Sequence, residues 1–172
     1  QTLSYSPQRD GGDVSLDDLH ASWYDIGAAA ALPGEQDIDV EVTYHQAVPG
    51  KPVQFKLTFD SSSLSFDQAT ALDSLLSQTV YSSVSGDTLT ISFWPTDPLV
   101  CVGEEIGICT LRFDLLTGDE GEIHSLTLID GIYRTACGDY EDVDYLIPGS
   151  ITVPIHIASA DIDEVSYYSS AT

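Results

Sequence analysis

PVQFKLTF, residues 52–59, alternates one residue at a time: Val53, Phe55, Leu57 and Phe59 fall on one side, Gln54, Lys56 and Thr58 on the other. Successive side chains of a strand point to opposite faces, so this stretch reads as a strand with one face buried and one wet. The same period runs through DIDVEVTY (37–44), where Ile38, Val40, Val42 and Tyr44 alternate with Asp37, Asp39, Glu41 and Thr43. It runs again through GICTLRFDL (107–115), with Leu111, Phe113 and Leu115 inward and Thr110, Arg112 and Asp114 outward. Pro49-Gly50 between the first two is a turn signal. These three stretches commit the chain to half-buried β-strands.

Outward from them, further strands are expected in TVYSSV (79–84) and TLTISFW (88–94), joined as a hairpin through Ser85-Gly86-Asp87. EIHSLTLID (122–130) and SITVPIHI (150–157) read as strands, SLSF (63–66) as a short one, and PTDPLVCVGEE (95–105) as a loop. DQATALDSLLS (67–77) is expected to form one or two helical turns, and Tyr133–Asp144 to be irregular and acidic. In SLDDLHASWYDIGAAAAL (15–32), Leu16, Leu19, Trp23 and Ile26 recur at helical spacing. Ser15 is placed as a cap, with Asp17 and Asp18 against the N-terminal dipole. A short helix is therefore predicted there, closed by Pro33-Gly34. About eight or nine short strands with frequent turns argue for an all-β, antiparallel, jelly-roll-like sandwich with a short N-terminal helical extension. The expected organisation is an extension over 1–35, the sandwich over 36–157 and a polar tail or linker over 158–172. No internal repeat of fixed period is present.

The 172 residues carry a formal charge of −23, from five Lys and Arg against 28 Asp and Glu. Phosphate contacts need clustered cations, so nucleic acid is an unsuitable partner, and so is an anionic membrane surface. No run of about 18 apolar residues exists to span a bilayer. The chain begins at Gln1 without a basic-then-apolar leader, and any signal peptide is expected to have been removed. The cysteines, Cys101, Cys109 and Cys137, match no zinc spacing. Their odd number allows at most one disulfide, expected to involve Cys137, the alternative being three buried thiols.

From Val40 to Val153 the order of signals resembles cohesin modules, the receptor domains of bacterial cellulosome scaffolds. VPGKPVQFKLTF (48–59) resembles the early strand with its Pro-Gly turn, and FDSSSLSFDQA (59–69) the aromatic-Asp segment with its Leu-x-Phe strand. VGEEIGICTLRFDL (102–115) resembles the glycine turn leading into a Leu-x-Phe strand, and PGSITV (148–153) the closing strand. The pattern departs in one respect: cohesins usually place one more segment between the Pro-Gly strand and the aromatic-Asp strand. Either that strand is missing here or the N-terminal extension supplies it. The resemblance implies a non-catalytic, extracellular or cell-surface module, monomeric within a larger protein. It implies that the module grips a dockerin, a small helical module whose own loops hold calcium, so that no cofactor is expected on this chain.

The residues themselves offer a face for such a partner. Lys56 and Arg112, two of five cations, point outward, and Trp94 shares its parity with Thr90 and Ser92. Trp and Arg are enriched among interface hot spots. Lys56, Thr90, Ser92, Trp94, Thr110, Arg112 and Asp114 are therefore expected to form one polar sheet face with an aromatic anchor. The alternative is a plain solvated face, with Trp94 tucked under the loop that starts at Pro95.

Catalysis finds no foothold. No GxSxG or HExxH motif occurs, and His20, His45, His124 and His156 are scattered. With 28 acids, a suitable carboxylate pair always exists and signals nothing. GDYEDVD (138–144) places Asp139, Glu141, Asp142 and Asp144 in a segment able to hold calcium, but it lacks the glycine and terminal Glu of an EF-hand loop. DIDE (161–164) is similar but shorter. The rival reading is a carbohydrate-binding sandwich using Trp23, Trp94, Tyr133, Tyr140 and Tyr145. A structural or adhesive surface domain is a third.

Overall fold

The computed structural model describes residues 21–46, 50–72, 79–94, 104–135 and 137–155. Within them the chain forms twelve strands: β1 Trp23–Ile26, β2 Ala28–Ala30, β3 Ile38–Gln46, β4 Gly50–Thr58, β5 Leu64–Ala71 and β6 Thr79–Ser85. The remainder are β7 Thr88–Trp94, β8 Glu104–Leu115, β9 Ile123–Thr135, β10 Tyr140–Asp142, β11 Tyr145–Ile147 and β12 Gly149–Thr152. One sheet, here sheet A, has the order β11-β1-β3-β8-β5. The other, sheet B, has the order β2-β12-β9-β4-β7-β6, with β10 added beside β9. The all-β sandwich expected from the alternating stretches is what forms.

The core is the inward parity of those stretches. Ile38, Val40, Val42 and Tyr44 of β3 pack with Ile108, Leu111, Phe113 and Leu115 of β8, and Phe55 and Leu57 of β4 with Leu89, Ile91 and Phe93 of β7. Aromatic rings tie the layers: Tyr24 lies 5.0 Å from Tyr44 and 5.3 Å from Phe55, and Phe113 meets Phe59 and Phe66 edge-on at 5.5 Å. Each fully buried aromatic or aliphatic side chain contributes about 1.5–3 kcal/mol.

The N-terminal segment departs from expectation. Residues 23–30 form β1 and β2 rather than helix, while residues 15–20 lie outside the described part of the chain. Tyr24 and Ile26 are fully buried opposite Tyr44 and Val42, and Trp23 and Asp25 stand outward opposite His45 and Thr43. That is a period of two, which the Leu16, Leu19, Trp23, Ile26 spacing had masked. The helical preference of Ala28–Ala30 is overridden by parallel pairing with β12. The sandwich's own strands thus begin before residue 36, and the N-terminal segment does supply strand structure.

β1 belongs to sheet A and β2 to sheet B, and the chain changes sheets at Gly27, whose N–H donates to the Glu41 carbonyl at 2.8 Å. Near the C-terminus β11 and β12 make the same change through Pro148, running parallel to β1 and β2. A Cβ on Gly149 would collide with the Gly27 carbonyl oxygen, so the two crossings touch through bare backbone.

Further expectations are corrected. Residues 67–71 continue β5 instead of turning helical, because Ala69 packs inward against the core and is paired with Leu111; residues 73–78 lie outside the described residues. The segment expected to be irregular holds the end of β9 together with β10 and β11. Pairing is antiparallel except β1 with β11 and β2 with β12. The expected hairpin forms, with φ of +59° at Gly86, a region that favours glycine. Cys109 is buried and Cys137 exposed, and neither is in a disulfide, so Cys137 is not a core thiol; Cys101 lies outside the described residues.

Candidate partner-binding face

The seven residues expected on one face divide between two. Lys56 of β4 and Thr90, Ser92 and Trp94 of β7 stand together on the outer side of sheet B. There Lys56 lies opposite Thr90, and Gln54 opposite Ser92. Thr110, Arg112 and Asp114 of β8 stand on the outer side of sheet A, across the sandwich. Alternation tells whether a side chain points in or out, but not to which of two sheets its strand belongs. The single-face expectation fails for that reason.

The two outer faces differ in charge. On sheet A, Arg112 forms a fork with Asp39, Nε to Oδ1 at 2.8 Å and Nη2 to Oδ2 at 3.1 Å, and reaches Asp37 at 3.5 Å. The guanidinium holds the Asp39 carboxyl below its usual range, first by hydrogen bonding and then by its charge. Asp114 accepts a hydrogen bond from the Asp37 N–H at 3.0 Å, an arrangement that holds Asp37 at φ 58°. Glu41 and Glu105 add to the negative charge. At the far end Trp23 stacks on His45 at 3.7 Å, and burial lowers the histidine pKa. This face is an acidic surface whose arginine is already occupied.

Sheet B presents the opposite character. Lys56 Nζ meets Asp130 Oδ2 at 2.7 Å, cancelling the central charge. Around that pair lie Gln54, Thr58, Thr88, Thr90, Ser92 and Ser83, a field of hydroxyls and one amide, with the Ser92 hydroxyl 3.3 Å from Gln54 Oε1. Trp94, opposite Thr79, is 63% exposed, and Tyr81, opposite Ser92, is 57% exposed. Trp94 is therefore an open aromatic surface. Tyr81, Gln54 and Asp130 were not singled out from sequence. The parity of Tyr81 against Val80 and Val84 was a usable signal, whereas the Lys56–Asp130 contact depends on β4 and β9 becoming neighbours.

Much of the acidic stretch 139–144 is drawn into strand pairing and hydrogen bonds. Tyr140–Asp142 pairs with β9, Glu141 accepts a hydrogen bond from the Tyr133 hydroxyl at 2.6 Å, and Asp144 accepts one from the Ser22 N–H at 2.7 Å. Among the described residues no three His, Cys, Asp or Glu side chains converge as metal ligands. Residues 161–164 lie outside the described part. The aromatics named for a carbohydrate platform are divided: Trp94 and Tyr140 are exposed on sheet B, on β7 and on the short β10 at different strands, Trp23 and Tyr145 are on sheet A, and Tyr133 is buried.

Two sandwiches alike in composition differ in strand order and in how they split between sheets, and here both are fixed. Solved structures are similar in fold over most of this chain. The sixth cohesin of scaffoldin B from Acetivibrio cellulolyticus, solved with a Cel5 dockerin mutant, has a TM-score of 0.62 over 77% of this chain and 99% of its own, at 12% identity. The fold is the cohesin fold. A type I cohesin–dockerin complex from Clostridium thermocellum gives a TM-score of 0.62 at 13% identity over the same shares. A non-cellulosomal cohesin from the archaeon Archaeoglobus fulgidus gives 0.61 at 19% identity, over 77% of this chain and 91% of that one. No family model and no curated protein matches the sequence.

Proposed function

We propose that this chain is a non-catalytic recognition module that binds a dockerin-like partner across the outer face of sheet B, outside the cell or at its surface. The observation that carries the reading is the contrast between the faces. A chain of net charge −23 surrounds the Lys56–Asp130 pair of sheet B with uncharged residues, places Lys51 and Arg134 opposite each other at one end of the same sheet, and sets Trp94 and Tyr81 on it. Interface cores are depleted in charged residues and enriched in aromatics, and a Trp left wet is a natural anchor. Structures sharing the fold were solved bound to dockerins, which supports the choice of partner class. Participation in a polysaccharide-degrading assembly is the extension of that reading. The non-cellulosomal archaeal cohesin shows that fold and assembly are separable.

The test is capture of a panel of dockerin modules by the immobilised chain, with and without a calcium chelator, beside a polysaccharide panel. Capture that a chelator abolishes supports the proposal, because the calcium would be the partner's. Retention on a polysaccharide with no dockerin captured overturns it in favour of a carbohydrate-binding module.

A further inference from the structure

Sheets end in edges, and an edge strand offers unpaired N–H and C=O groups to any other strand. Three edge strands of this molecule, β2, β10 and β11, are three residues long. β5, the edge of sheet A, is interrupted by a register shift between Phe66 and Gln68, with the exposed Asp67 at the break. Short length, bulges and charges are the usual means of blunting an edge. Among the described residues β6 is the other edge of sheet B, and it has none of them. Its seven residues, TVYSSVS, match β7 without a register break and contain neither charge nor proline.

The sequence of β6 is also complementary to itself. When two copies are laid antiparallel about Ser82, Val80 faces Val84 and Val84 faces Val80, with Ser82 meeting Ser82. These are the residues on the core side of the strand, opposite Phe93, Leu89 and Ile91. Val84 is 50% exposed although it shares that side with the buried Leu89, so the end of the core is open there. A second β6 would close it. On the outer side, Tyr81 would lie against Ser83 of the second copy.

We propose that β6 is a self-pairing edge, through which two copies of this chain join sheet B to sheet B about a two-fold axis. This departs from the monomeric module expected from the sequence, and it holds whether or not the face binds a dockerin. An isologous contact closes at two copies, so no fibre follows. One strand from each partner gives an interface below the standard size, so the dimer is weak and concentration-dependent. Two chains of charge −23 repel one another, and the repulsion is screened by salt.

Sedimentation and light scattering of the chain alone, over a concentration series at low and high salt, test this. The expected result is a mass that climbs from one chain toward two with concentration, and further at high salt. Ser82→Lys places two ammonium groups together on the axis and is expected to abolish the dimer even though it reduces the net charge. Val84→Arg, acting at both ends of the strand, is the second variant, and Ser65→Lys on β5 is expected to dimerise like the parent. Melting by circular dichroism confirms that each variant is folded. A chain that is monomeric throughout overturns the proposal, as does a dimer that survives both β6 substitutions. A monomer that takes up a TVYSSVS peptide also overturns pairing between copies and leaves the edge to an extended segment of another protein. Because no dockerin is present, failure here is distinct from failure of the binding reading.

Discussion

Trp94 and Arg112 have the same sequence credentials and opposite structural fates. Trp94 lies open on the outer side of sheet B, whereas Arg112 is committed to Asp39 on the other sheet. Trp94→Ala is expected to weaken partner binding by more than about 1 kcal/mol, as for a hot-spot residue, with an unchanged melting temperature. Arg112→Ala is expected to leave affinity unchanged; isothermal titration of both variants separates the two faces. His45 supplies a second test. Burial depresses its folded-state pKa, so the neutral form is favoured on folding. The stability that His45 contributes is present above the ordinary histidine value and is lost as the pH falls below it. With Trp94 replaced by Phe, the emission of the stacked Trp23 is expected to shift in one step at a pH below that ordinary value. His45→Phe keeps a ring over the indole and should remove the step.

At the scale of elements, the paired crossings of β1–β2 and β11–β12 hold the two sheets together at one side. Their backbones meet at Gly27 and Gly149; a Cβ on Gly149 would run into the Gly27 and Ile26 carbonyl oxygens as well as the Ile26 side chain, and one on Gly27 into the Glu41 carbonyl. Gly149→Ala is therefore expected to cost about 3 kcal/mol, the upper end of overpacking, read as a lower urea midpoint with an unchanged slope. A small effect would mean that the crossings separate easily. Strand existence was legible wherever polar and apolar residues alternate, as in β3, β4, β7 and β8. It was not legible in β1, where Trp23 and Ile26 also fit a helical spacing, nor in Ala28–Ala30, whose propensity points to helix. In these segments tertiary pairing with β3 and β12 overrides local preference.

For the whole molecule, the strands before Pro33 are integral. Tyr24 and Ile26 are fully buried, and the Tyr24 hydroxyl donates to the Ile132 carbonyl at 2.8 Å, bridging the sheets. A chain beginning at residue 36 lacks those groups and leaves β3 with one edge unpaired. It is expected to show no cooperative thermal unfolding by circular dichroism, whereas an N-terminal extension outside the fold would be removed without consequence.

Residue order alone established the class of structure and the inward and outward sides of its main strands, because side-chain alternation is a local property of extended backbone. It also determined the acidic surface that disfavours nucleic acid. Which sheet each strand joins was decided by the tertiary structure, since pairing depends on contacts between residues far apart in the chain. Lys56, Thr90, Ser92 and Trp94 therefore share one face, Thr110, Arg112 and Asp114 another, and the surface that carries Trp94 and Tyr81 became visible only when β4, β6, β7 and β9 came together.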